Sequence, residues 1–148
     1  RQRQMCIRDS HLTDPHNFGA IIRTCESKGI KTIIIPKDRS VLVNDTVYKT
    51  SEGAIDNVKI VMVTNLINTI NKLKEMNYFV YCADMDGEDY RKVSYANKKV
   101  LVIGNEGLGI SSGVKKNSDV VVGIPMRGKI NSLNASVSAG ILIYRMDD

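Results

Sequence analysis

Residues 100–111, VLVIGNEGLGIS, run from a Val/Ile stretch into a loop of three glycines and one carboxylate: Gly104, Asn105, Glu106, Gly107, Leu108 and Gly109. Glycine admits positive φ and close approach, so such a loop can bring backbone amides up to a ligand. The spacing is G-x-x-G-x-G late in the chain. A dinucleotide-phosphate fingerprint is instead G-x-G-x-x-G in the first strand-to-helix turn. A plain turn needs fewer glycines, and the loop reads as backbone brought close to something flat or bulky. A second stretch, IPMRGKINSLNASVSAG (124–140), leads from a strand end through a basic loop into a helix. Ser132 is expected to cap that helix. Its small residues Ala135, Ser136, Ser138, Ala139 and Gly140 are expected on exposed turns, and the amides of Asn131 and Asn134 can read a ligand's edges. The third stretch, TDPHNFGAIIRT (13–24), places Asn17 near a helix start and Arg23 on the second turn. A helical arginine ordinarily snorkels at the surface. Neither His11 nor His16 has a serine or carboxylate at a spacing that suggests a nucleophile triad.

These loops need a scaffold, and the composition supports an ordinary one. The chain has 148 residues, 43% apolar and 25% charged, enough for one domain with a full core. No apolar run approaches the roughly 20 residues of a membrane helix, and no signal-peptide pattern opens the chain. Cys6, Cys25 and Cys82 are odd in number and far apart. They lack zinc-ligand and disulfide spacing, so they read as small buried side chains of a cytoplasmic protein with no metal site. The net charge of +5 suits an anionic partner such as nucleic acid. Two of those five charges come from RQRQMCIRDS at the start, through Arg1, Arg3 and Arg8 against Asp9. That segment lacks apolar periodicity and reads as a cloning or sequence-assembly scar. Residues 1–12 are therefore kept apart, and the domain is taken as 13–148.

From Thr13 onward short apolar runs alternate with amphipathic segments. Phe18, Ile21, Ile22 and Cys25 have helical spacing, with Gly29 as the stop. IKTIIIP is a β-branched strand closed by Pro36. A short helix is expected within 41–54, and VKIVMV (58–63) reads as a buried strand. NLINTINKLKEM (65–76) is a helix capped by Asn65, with Leu66, Ile67, Ile70, Leu73 and Met76 on one stripe. YFVYCAD (78–84), KVLVIG (99–104) and DVVVGIP (119–125) read as strands, GISSGVKKNS as a short helix, and 132–146 as the last helix. Near-continuous Val/Ile strands alternating with helices give an α/β class, an open parallel sheet with helices on both faces. Ligands in such sheets sit beyond the carboxyl ends of the strands.

Taken together and in this order, DPHNFGAIIRT, LVIGNEGLGIS and IPMRGKINSLNASVSAGIL resemble the three motifs of the SpoU (TrmH-type) RNA ribose 2'-O-methyltransferases, in the SPOUT group. The resemblance spans 14–142. It implies a SPOUT-type fold with a C-terminal trefoil knot and a bent S-adenosylmethionine held by the second and third motifs. By this resemblance Gly104, Asn105, Gly107, Gly109, Ile124, Met126, Ser132 and Leu133 bind the cofactor, with main chain near Gly104, Ile124 and Leu133 holding adenine and ribose. Arg23, Asn17, Glu106, Ser132 and Asn134 match active-site positions. A guanidinium, which does not readily give up its proton, is a poor base. Arg23 is therefore expected to grip a neighbouring phosphate and stabilise the developing alkoxide. Within the family, YKTSEGAIDNVKIVMVTNL (48–66) is most similar to enzymes acting on a guanosine of large-subunit ribosomal RNA, with the transfer-RNA guanosine enzymes as close rivals. The resemblance also implies a homodimer with active sites at its interface. Full-length ribosomal-RNA members usually carry a small N-terminal RNA-binding domain, and the resemblance, which begins at residue 14, leads to the expectation that this chain lacks one. A non-catalytic RNA-binding module of the same fold is the alternative from another class. A dinucleotide-dependent oxidoreductase lacks both the early glycine fingerprint and its ribose-binding acid.

Overall fold

The Val/Ile runs assemble into one six-stranded sheet. A computed structural model describes residues 4–9, 15–37, 45–104, 110–130 and 133–147. Its strands are β1 Gln4–Arg8, β2 Thr32–Pro36, β3 Lys59–Val63, β4 Phe79–Asp89, β5 Lys99–Ile103 and β6 Val120–Gly123. All pairings are parallel, in the order β3-β2-β1-β5-β4-β6. The helices are α1 Pro15–Ser27, α2 Asp45–Thr50, α3 Leu66–Glu75, α4 Ser112–Asn117 and α5 Ala135–Met146, with a 3-10 turn at Ala54–Asn57.

Residues 4–8, expected to stand apart from the domain, form a strand in the middle of the sheet. β1 pairs with β2 through Cys6↔Ile33 and with β5 from Gln4↔Lys99 to Arg8↔Ile103. Five residues with polar ends carry little periodic signal, yet burial on both faces needs only Met5, Cys6 and Ile7 between neighbouring strands. The expectation for 58–63 also changes: β3 is the edge strand, and Met62 is half exposed.

Alternation along the strands divides the core. Cys6, Ile33, Ile35, Tyr81, Leu101 and Ile103 face α1, α2 and α5. Ile7, Ile34, Val80, Cys82, Val100 and Val102 face α3 and α4. This is the two-sided cover that a parallel sheet requires. No helix connects β4 to β5. Residues 90–98 cover that stretch, where Ala96 N–H donates to Tyr81 Oη (2.7 Å) and Tyr95 Oη donates to the Tyr90 carbonyl (2.7 Å). Burial pushes the Tyr95 phenol up to about 12. All three cysteines are buried and free, as expected. Cys25 Sγ lies 3.4 Å from Cys6 Sγ, and that contact together with burial raises the Cys6 thiol pKa well above its ordinary value.

Helix ends follow local chemistry. Gly29, at φ +76°, closes α1: its N–H donates to Glu26 O (3.0 Å) and Ile30 N–H to Cys25 O (2.9 Å), a Schellman pattern. Asn65 caps α3 by accepting from Asn68 N (3.0 Å). Met76, expected on the apolar stripe of α3, is its exposed C-cap. The last helix departs from expectation. Asn134, not Ser132, is its N-cap, and Oδ1 of Asn134 accepts from Ser136 N (2.9 Å) and Val137 N (3.3 Å). Ala135 and Ala139, expected on exposed turns, are buried.

α1 and α2 touch where α1 has no side chain. A Cβ built on Gly19 would lie 2.6 Å from Thr50 Cβ and 3.1 Å from Ser51 N. Alanine is the better helix former by up to about 1 kcal/mol, but here it must push two helices apart. Gly19→Ala is expected to destabilise the fold by about 1–3 kcal/mol, read as a lower urea midpoint at unchanged m-value.

Candidate active site at the carboxyl edge of the sheet

Because every strand runs the same way, the residues that follow them share one edge. Asp9 follows β1, Gly104 follows β5 and Ile124 follows β6. The chain fills one half of the sheet with β1, β2 and β3 and the other with β4, β5 and β6, so β1 and β5 flank the switch point. Open α/β sheets bind ligands in the crevice there. β4 stands between β5 and β6, which separates Gly104 from Ile124 by two strand spacings, about 10 Å. Gly104, Ile124, Met126 and Leu133 are all half-buried. Asn105, Glu106, Gly107, Gly109 and Ser132 lie outside the described residues.

The two ends of the glycine loop are anchored by one residue. Asp9 is 4% exposed. Its N–H donates to Ile103 O (2.8 Å), at the start of the loop. Its Oδ2 accepts from Ser111 N (2.6 Å), just past the loop's end. A carboxylate there also faces the positive end of α4. From the other side, Lys115 of α4 reaches Asp84 and Asp86 within β4, each at 3.0 Å. Hydrogen bonds to these two carboxylates raise the Lys115 pKa. Ile110 and Val114 are buried in the second core cluster and complete the anchorage. Asp9 escaped notice in the sequence because it sits in the segment set aside. With no strand legible before it, nothing in the sequence marked it.

α1 connects the parallel strands β1 and β2, so it runs back across the sheet and must begin at the carboxyl edge. α5 runs alongside it in the same direction. Gly140 faces Thr24, and Tyr144 Oη lies 3.0 Å from Ser27 Oγ. At that offset Asn17 stands level with Leu133 and Asn134, again at the carboxyl edge. Arg23 does not join them. It lies six residues further, about 9 Å along the axis, on the exposed flank of α1, where Nη1 donates to Glu52 Oε2 (2.7 Å). Arg23 is thus a surface cation with a defined partner, which periodicity did not signal. Among the described residues no group of three or more His, Cys, Asp or Glu could hold a metal ion, and no helix is long and apolar enough to cross a membrane.

The model of the SpoU rRNA methylase family matches residues 5–144. The chain belongs to the SpoU family. An uncharacterized tRNA/rRNA methyltransferase of Borreliella burgdorferi is 47% identical over 136 residues, 91% of this chain and 60% of that protein. The chain spans 55–60% of the length of three curated relatives that it matches. Among solved structures, the A. aeolicus TrmH/SpoU tRNA modifying enzyme superposes with a TM-score of 0.87 at 26% identity, over 99% of this chain and 74% of that one. The SpoU methyltransferase AviRb of Streptomyces viridochromogenes, solved with AdoMet, gives 0.88 at 25% identity, over 99% and 60% of the two chains. The six-stranded parallel sheet with helices on both faces is therefore the SpoU fold. The segments expected to form a knot include 105–109 and 131–132, outside the described residues.

Asp9 generates a test of the anchorage. Asp9→Ala leaves the Ser111 N–H without its acceptor and is expected to cost about 1–3 kcal/mol. Amide exchange should speed up selectively at 104–111 before the sheet itself loosens.

Proposed function

We propose that this SpoU chain binds S-adenosylmethionine at the carboxyl edge of β5 and β6 and transfers its methyl to a ribose 2'-hydroxyl of RNA. A guanosine of large-subunit ribosomal RNA is the favoured target, and a transfer-RNA guanosine is the rival. The observation that carries the reading is the shared edge: Gly104 and Ile124, distant in sequence, both follow strands at the carboxyl edge of a SpoU fold, and the starts of α1 and α5, with Asn17, Leu133 and Asn134, lie toward the same edge. The solved AviRb complex with AdoMet supports the choice of cofactor.

The donor set fits that group. Main-chain amides at strand ends suit the edges of an adenine, and half-buried Ile124, Met126 and Leu133 suit its faces. Gly104, Asn105, Gly107, Gly109 and Ser132 complete the cofactor site in this reading. Bound there, S-adenosylmethionine supplies a methyl already activated on a sulfonium sulfur. The chain must then align a ribose oxygen in line with that methyl and help the hydroxyl lose its proton. The guanidinium of Arg23 offers donors rather than an acceptor, so it grips the adjacent phosphate and stabilises the developing alkoxide. The proton leaves to that phosphate or to water. Asn17, Glu106, Ser132 and Asn134 orient the sugar and the cofactor around the transfer.

Arg23 lies about two turns from the edge of its own chain. A homodimer with sites at the interface resolves this, since Arg23 of one copy can face the edge of the other. The exposed Val137 and Tyr144 on α5 give such an interface apolar surface.

Titration should show binding of S-adenosylmethionine and none of NAD. Labelled methyl should enter unmodified ribosomal RNA in preference to transfer RNA, and a 2'-deoxy substitution at the target should abolish transfer. Arg23→Lys is expected to lower turnover about 100-fold with cofactor affinity unchanged, the scale of losing one transition-state donor. Full methylation by that variant removes Arg23 from the mechanism; absence of cofactor binding removes the whole reading.

A further inference from the structure

One carboxylate outside the three motifs stands against Arg23. Glu52 Oε2 lies 2.7 Å from Arg23 Nη1, and both side chains are more than half exposed. An exposed pair is ordinarily weak and loosely held, but the backbone beneath this one is not ordinary. Among the described residues two non-glycine residues have positive φ, Glu52 at +54° and Asn77 at +71°. Asn77 closes α3, with Tyr78 N–H donating to Leu73 O (3.0 Å), and asparagine is a natural residue for that cap. Glu52 closes α2 in the same way, with its own N–H on Lys49 O and Gly53 N–H on Tyr48 O, but glutamate, unlike glycine or asparagine, is not a residue that favours this cap. Glycine would take the position without steric cost, as Gly53 does next to it at +81°. A residue held in an unfavourable conformation points to a function for its side chain.

The surroundings fix where that side chain starts. Glu52 N–H donates to Lys49 O (3.0 Å), Gly53 N–H to Tyr48 O (3.2 Å) and Ala54 N–H to Ser51 O (3.1 Å). Ser51 is buried, and its hydroxyl donates to Tyr48 O (3.0 Å). The contact of Gly19 with Thr50 sets the register of α1 against α2. Arg23 is one helical turn beyond Gly19, on the same face, and Glu52 is two residues beyond Thr50. The close approach of the helices thus delivers the carboxylate opposite the guanidinium.

We propose that Glu52 is a positioning residue for Arg23, holding one Nη1 corner so that the remaining N–H donors are presented in a fixed direction to the RNA phosphate. The guanidinium offers five N–H donors in a rigid fork, and a single contact at one corner leaves the others for a second anion. This inference rests on the proposed role of Arg23 in methyl transfer. The opposite behaviour, in which Glu52 competes with phosphate for Arg23, predicts tighter RNA binding once the carboxylate is gone.

Glu52→Gly separates these cases, because it removes the carboxylate while relieving the backbone. With unmodified large-subunit ribosomal RNA and labelled S-adenosylmethionine, kcat is expected to fall about three- to fivefold, the scale of an exposed ion pair. Cofactor Kd should stay unchanged and the melting temperature should hold or rise, whereas a merely structural role would lower it. Glu52→Gln, which keeps an acceptor oxygen, should retain part of the loss-sensitive rate. In an Arg23→Lys background, Glu52→Gly should cost nothing further. If Arg23→Lys itself leaves transfer intact, the role of Arg23 fails; if only Glu52→Gly leaves it intact, or lowers the KM for RNA, the positioning role alone fails. A reading without turnover uses 15N-labelled arginine: rotation of the Arg23 guanidinium should be restricted in the native chain and free in Glu52→Gly. Equal rotation in both overturns the proposal.

Discussion

The pairing of β1 with β5 is the seam on which this molecule depends. Three strands lie on one side of it and three on the other, and its ladder runs from Gln4↔Lys99 to Arg8↔Ile103. At its carboxyl end the ladder continues one step, through Asp9 N–H to Ile103 O. The same residue then turns its carboxylate to Ser111 N. The seam therefore joins the halves of the sheet and also ties Ile103 to Ser111, the two points between which the glycine loop runs. A parallel sheet opens its crevice only where the winding reverses, so this central ladder and the crevice coincide by topology.

Much of this was legible because it is periodic or local. Ile33, Ile34 and Ile35 on β2 and Val100 to Ile103 on β5 are strands that must be buried on both faces, and both are. Asn65 before an amphipathic run and Gly29 after one are caps that depend on their own few residues. What escaped was set by neighbours far along the chain. β3 reads as buried, yet nothing in VKIVMV says that it will end at an edge. β1 is too short and too polar at its ends to stand out, and it becomes central because β2 and β5 flank it. β4 runs to Asp89, with an irregularity against β6 between Ala83 and Glu88, through residues too acidic to read as strand. The start of α5 shifted from Ser132 to Asn134 because both are good caps and only packing of Ala135 and Ala139 onto the sheet chooses between them.

The candidate site shows the same division. The glycine loop and the 124–134 loop were readable as sites because each follows a strand, and a parallel sheet brings strand ends together. That Asn17 shares their edge depends on the direction of α5 beside α1, which only the Thr24–Gly140 and Ser27–Tyr144 contacts reveal. That Arg23 does not share it is a matter of helix arithmetic: six residues carry it about 9 Å down the axis. Its partner Glu52 carries no signal in sequence at all, since the pair is 29 residues apart and its register comes from a missing side chain at Gly19.

The chain thus separates the groups that can do chemistry from the groups that place them. Arg23, Glu52 and Asn134 are exposed, where a single charge or amide contributes little to folding. Asp9, Gly19 and Ser51 are buried, and they act on neighbouring segments through the two Asp9 hydrogen bonds, the close approach at Gly19 and the Ser51 hydroxyl on Tyr48 O. Substitutions in the first set should change what the surface can bind while the core persists. Substitutions in the second should change both together, because the same contact that closes the core also aims the surface. An exposed residue that carries backbone strain, as Glu52 does, belongs to neither set by burial alone. Its conformation is unfavourable for folding, and its carboxylate is where the two sets meet.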